Sequence, residues 1–243
     1  MKTRIQSTIP AAALLGLLLA SCEDGFHSCL KGNGVIVTET RELTEFSGIT
    51  AEGSYEVHYL PDTAYFMELE TDENLMPYIR DRIAGNILYI DNGTRKCLSS
   101  EYPIRIFVHA PEVRLLKLSG SGTIGAKSVY SPKLALLLEG SGVFDIRGID
   151  VLDLRVLITG SGEVEVRGRA DVSEYTITGS GTISAQDLQS ELCRAEITGS
   201  GNIYCHATKT LQAIISGSGV IYYRGKPQVS MTISGSGSVH TID

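Results

Sequence analysis

The chain has no tryptophan, only five phenylalanines against eleven tyrosines, and fewer basic than acidic residues, 21 Lys and Arg against 28 Asp and Glu. A formal net charge of −7 makes it a poor partner for nucleic acid or anionic lipid headgroups, which are bound mainly by Lys and Arg. No Cys or His pair has convincing zinc spacing. His27 near Cys29, and Cys205-His206, are lone neighbours, so neither a metal nor another cofactor is expected. The apolar run Ala11–Ala20 is too short to cross a bilayer as a stable helix.

What the chain does have is one phrase used seven times. Gly-Ser-Gly starts at Gly120, Gly140, Gly160, Gly179, Gly199, Gly217 and Gly235, at spacings of 20, 20, 19, 20, 18 and 18 residues. A fixed period near 20 is the mark of a solenoid. Aliphatic residues fall at even offsets from the first glycine. Two before it stand Leu118, Leu138, Ile158, Ile177, Ile197, Ile215 and Ile233; four after it stand Ile124, Phe144, Val164, Ile183, Ile203, Ile221 and Val239. On an extended chain even offsets share one face, and period-two alternation excludes a helical solenoid. The expected fold is all-β, a right-handed parallel β-helix or β-roll of about seven Gly-Ser-Gly coils. Each coil supplies two strands joined at a corner where inward side chains vanish, because the backbone there bends or approaches closely. Each buried aliphatic contributes roughly 1.5–3 kcal/mol, so the stacked layers make a substantial core.

Four regions are expected. Residues 1–21 read as a secretory signal: Lys2 and Arg4 give a basic start, the apolar run follows, and Ser21 precedes Cys22. Leu19-Ala20-Ser21-Cys22 resembles the lipobox of bacterial lipoproteins. That resemblance implies cleavage before Cys22, diacylglycerol on its sulfur, and membrane attachment through acyl chains. Loss of Lys2 and Arg4 takes the formal charge from −7 to −9. Residues 22–31 form a tether, 32–112 an atypical N-terminal β cap, and 113–243 the repeat β-helix.

Within the cap, strands are expected at Val35–Thr38, Tyr65–Glu70, Ile87–Asp91 and Ile104–His109. Ile49 to Tyr59 alternates like another coil, with Gly53-Ser54 as a worn triplet. One short helix is expected over Asn74–Ile83, capped by Asp72, with Pro77 in its first turn and Leu75, Ile79 and Ile83 on one stripe. The solenoid needs such a cap because an open end exposes backbone groups and apolar edges. An exported compartment permits disulfides. Cys29–Cys97 would tie the tether to the loop before Ile104, while Cys193 and Cys205, both on inward parity, are either a pair or two small core residues; spacing alone does not decide connectivity.

The order of these features carries a resemblance: lipobox, Gly-x-Gly strand, Phe46-x-x-Ile49 with Gly53, acidic Asp72-Glu73-Asn74, a strand ending near Ala110-Pro111, then repeated Ser-Gly-Ser-Gly. It looks like the "putative auto-transporter adhesin, head GIN domain" family of exported bacterial proteins, over most of residues 30–243. The resemblance implies a β-helical fold and a cell-envelope location, and it brings no catalytic residues.

Enzyme chemistry is tested and set aside. Outward Asp145 and Glu165, five after their triplets, and Arg147 and Arg167, seven after, read as a solvated charge ladder. Coils of 18–20 residues leave no room for the loops a lyase cleft needs. The triplets lack the Lys of a phosphate loop, and their serines lack a partner base. Tyr204, Tyr222 and His240 share an outward column on the last three coils, with Asn202 beside them; aromatic rings on a flat face suit sugar or peptide contact. Outward Leu137 and Leu157, with Ile214 farther along, are either covered by the first half of the chain or form a self-association patch. Asp62-Thr63-Ala64 resembles a short acceptor for O-glycosylation at Thr63. The expected function is a lipid-anchored module of the outer membrane, at the cell surface or facing the periplasm, structural or adhesive and not catalytic, with a surface glycan or protein as ligand. A glycan-processing enzyme and a periplasmic scaffold or sensor accessory are the alternatives.

Overall fold

A computed structural model describes residues 29–242 other than residue 95. The expected signal segment and Cys22 lie outside the described residues. The chain forms a parallel β-solenoid. Leu115–Gly120 pairs in parallel with Val129–Gly140, which pairs with Val143–Gly160, and so on to Gln228–Gly235. Equivalent residues stack in register: Leu116 on Leu136, Leu136 on Val156, Gly140 on Gly160. The inward residues Leu136, Leu138, Phe144, Val156, Ile158 and Ile177 are fully buried, as the even offsets require.

The corners have two separate reasons for glycine. The first glycine of every triplet has φ between 115° and 128°, a region L side chains avoid. A Cβ on Gly160 would also stand 2.5 Å from the carbonyl oxygen of Gly140 below it. The third glycine makes room for a side chain: a Cβ on Gly162 would stand 2.5 Å from Leu138 Cδ2. The corner is thus filled by the aliphatic residue of the coil beneath. Beyond the corner the register shifts between Ile146 and Ile149, where Gly148 takes a φ of 61°.

The stack does not follow the chain. Gly48–Gly53 and Glu56–Pro61 form a coil directly beneath Leu115–Gly120 and Thr123–Ala126, with Gly53 under Gly120. The outermost coil on that side comes later in sequence: Ile87–Asn92 lies on Gly48–Gly53, and Arg105–Ala110 on Glu56–Pro61. Antiparallel strands then finish the end. Phe66–Asp72 pairs with Arg105–Ala110, Ile36–Glu42 pairs with Phe66–Asp72, and Ile79–Ala84 pairs with Ile87–Asn92. Arg41 links the two outer edges, donating from Nη1 to the Ile79 carbonyl at 2.9 Å and to Asp81 at 2.6 Å.

The expected helix over Asn74–Ile83 is not formed. A single 3-10 turn, Met76–Tyr78, leads into the strand Ile79–Ala84. Ile79 and Ile83, four apart, fit a strand alternation with Asp81 between them as well as a helical stripe, and Gly85 and Asn86, with φ of 58° and 67°, make the tight hairpin turn back into Ile87–Asn92. Asp72 caps no helix. It is buried and its Oδ1 accepts the Gly34 N–H at 2.7 Å, while its Oδ2 accepts the Ser100 hydroxyl. It therefore fastens the Gly32-Asn33-Gly34 segment to the cap.

Candidate ligand-binding surface

The outward positions form columns along the stack, one residue per coil. In the column five after the triplet, Ser184, Tyr204, Tyr222 and His240 are in register. The Tyr204 and Tyr222 rings stack at 4.7 Å between centroids with planes 9° apart, and Tyr222 meets His240 at 5.8 Å and 30°. The strand spacing enforces this contact, since parallel in-register strands lie about 4.8 Å apart. Asn202 stands two residues before Tyr204 on the same strand, and His240 Nε2 lies 2.9 Å from Ser238 Oγ. The result is a flat, half-exposed aromatic strip with amide, hydroxyl and imidazole groups on it.

The middle of the same column is charged. Asp145 is held by Arg147 through two hydrogen bonds of 3.0 and 2.8 Å, and Glu165 is bound by Arg167. Each pair is internal to one strand. Beyond Gly125 the column continues onto His58 and Phe107, whose rings stack at 5.2 Å. Sequence parity marks both as outward, but only the order of the stack makes them neighbours.

The remaining sequence candidates are spread over the molecule. Cys29 and Cys97 form a disulfide, joining the first described residue to the loop beside Leu98–Ser99. Thr63 is exposed on the turn between Glu56–Pro61 and Phe66–Asp72, where Asp62 Oδ1 accepts the Ala64 N–H at 3.2 Å. Cys193 and Cys205 are free, buried thiols. They share the interior with Ser173 and Ser190, whose hydroxyls are 2.8 Å apart. Contact with Cys193, then burial, pushes the Cys205 thiol well up. Burial also raises Tyr55 and Tyr59 to about 12, so the inward tyrosines are neutral core residues. Leu137 and Leu157 adjoin on the outside, flanked by Lys117 and Thr176. Sequence reasoning missed further exposed apolar side chains: Val172 and Leu192, paired in register on outward offsets, and Tyr130 and Leu152 on earlier coils. Tyr130 and Leu152 stand at even offsets from their triplets, so alternation placed them inward. Among the described residues no group of three or more His, Cys, Asp or Glu side chains is placed to hold a metal ion.

Fold and surface together define a β-solenoid that presents its chemistry in outward columns. The chain belongs to the family described as "Putative auto-transporter adhesin, head GIN domain", whose model matches residues 45–227. Among solved structures, it is similar to a "putative adhesin" from Bacteroides fragilis, at 23% identity over 88% of this chain and 100% of that one, with a TM-score of 0.81. A "putative lipid binding protein" from Parabacteroides distasonis shares 27% identity over 89% and 100%, with a TM-score of 0.75. A "putative adhesin" from the same organism shares 24% over 88% and 100%, with a TM-score of 0.70. No curated protein matches.

Proposed function

We propose that this protein is a non-enzymatic, adhesion-type binding module of the cell envelope, held to the membrane by lipid on Cys22, that contacts surface glycans through Tyr204, Tyr222 and His240 with Asn202. The observation that carries this reading is the stacked ring strip, with Tyr204 and Tyr222 at 4.7 Å. With the ring faces turned on one another, such a strip meets a ligand with ring edges, the phenolic hydroxyls and the imidazole, groups that hydrogen-bond sugar hydroxyls at about 1 kcal/mol each. Contacts of that size are weak singly and become useful when many copies act together. Family membership supports the adhesive reading; the lipobox supports the anchor.

The test is the double variant Tyr204→Ala with Tyr222→Ala, checked first for an unchanged thermal melt and then on a glycan array and in cell adhesion. Loss of binding in a folded variant is expected. Unchanged binding would remove the ladder from the proposal. Cys22→Ser, in parallel, should release the protein from the membrane fraction or stall its processing.

A further inference from the structure

We propose a second ligand site, for an acidic sugar, in the notch that Gly125 opens between His58 and Asp145. It rests on the reading of the protein as a glycan-binding module. In the Tyr204–Tyr222–His240 ladder each ring is covered by the next. At the other end of the same column Phe107 covers one side of His58, and the residue due on the other side is glycine.

The backbone does not demand glycine there. Gly125 is not among the residues with positive φ. A Cβ at Gly125 would approach His58 Nδ1 to 3.4 Å and the Asp145 carbonyl to 3.8 Å, which are ordinary contacts. This differs from Gly160, where a Cβ would strike backbone. The missing side chain at Gly125 therefore serves space: it leaves a cavity of about 440 Å³ walled by His58, Phe107 and Leu60 and rimmed by Thr123, Lys127 and Arg147. That volume is within the range of small-molecule sites.

The groups around the notch select the class of ligand. An aromatic wall suits the C–H face of a sugar ring. Asp145 is already neutralised by Arg147, and Glu56, the nearest other acid on the His58 strand, is engaged by Arg105 at 3.3 Å. Lys127 is exposed and has no acidic partner among the described residues. In a chain of net charge −7, an unpaired lysine on the rim of a cavity with an aromatic wall points to a carboxylate on the bound ring. A peptide strand is disfavoured, because Thr123–Ala126 is paired along both edges, with Glu56–Pro61 and with Val143–Gly160. No backbone donors or acceptors are left there for β-strand addition.

Hexagalacturonate, titrated into the full chain and followed by calorimetry, is the probe, with its methyl ester as the uncharged control. Gly125→Leu fills the notch and Lys127→Ala removes the charge. Each should weaken hexagalacturonate binding by about tenfold, the loss of one charge-assisted or stacking contact. The ester should bind weaker than the acid by a similar factor, and Ser161→Ala, remote on another corner, should leave binding unchanged. If Gly125→Leu does not fold, Lys127→Ala and the ester decide. Absence of hexagalacturonate binding, equal binding of the ester, or full binding by folded Gly125→Leu would overturn the site. Loss confined to the Tyr204→Ala, Tyr222→Ala variant would overturn the notch while leaving the ladder standing.

Discussion

At the N-terminal end of the stack the inward residues of the outermost coil, Leu88, Ile90, Ile106 and Val108, are fully buried; at the other end Met231 and Ile233 are 57% and 43% exposed. Ile215, at the same offset one coil earlier than Ile233, is 1% exposed. Burial here is a property of position in the stack. A side chain in a coil is covered by the coil above and the coil below, and the last coil has only one of these. The N-terminal end supplies the missing cover with antiparallel strands that turn back over the core, adding Met67, Leu69 and Ile79 to it. Their outer edges carry charges, Glu39, Arg41, Arg80 and Arg82 among them, as protected edges do. In a stack with nearest-neighbour energetics, the capped end and the centre should melt together and the last coil should fray first.

The largest effect that would sharpen this contrast is at the corners. Gly160→Val forces a branched side chain into positive φ and against the Gly140 carbonyl, and should cost above about 3 kcal/mol in urea unfolding. Gly235→Val meets the same clash with Gly217, yet should cost under about 1.5 kcal/mol globally, because the last coil detaches while the rest stays folded. Ser161→Ala, outward at the same corner, should stay within about 0.5 kcal/mol. Equal losses at Gly160 and Gly235 would show that the last coil melts with the whole.

The next comparison uses one residue type at one offset. Ile215→Ala should destabilise by about 2–5 kcal/mol, the range for a buried aliphatic truncation. Ile233→Ala should cost under about 1 kcal/mol, since much of that side chain already meets water. Chemical denaturation of both variants reads the difference directly, and similar losses would mean that Ile233 is covered in solution.

The smallest effect is a pH dependence on the C-terminal side of the stack. Burial, and then Arg224, lower the pKa of His206 from 6.5. The folded protein therefore holds His206 neutral more strongly than the unfolded chain does. Its contribution is present above pH 6.5 and is lost as pH falls through the lowered value. Melting temperature should fall modestly between pH 7 and pH 5, and His206→Gln should flatten that part of the profile. An unchanged slope in the variant would assign the dependence to other groups.

The amino-acid sequence by itself determined which residues of a repeat face inward. Side-chain direction in a strand has period two, so Leu138, Phe144 and Ile158 could be placed in the core from their offsets alone. It also determined the Tyr204–Tyr222–His240 strip, because equal offsets in successive coils must stack when the coils are in register. It even marked Gly53 as a worn corner. The tertiary structure alone decided the rest. Residues 79–84 satisfy both a helical stripe and a strand alternation, and the pairing of Ile79–Ala84 with Ile87–Asn92 chose the strand. The coil at 87–110 lies outside the coil at 48–61 because each found a parallel edge there, and no local pattern records which edge a strand will meet. That same order brings Phe107 onto His58 and sets Gly125 beside them. Periodicity is written residue by residue, whereas the sequence of layers follows from long-range pairing of backbone edges, and the notch at Gly125 exists only once those layers are stacked.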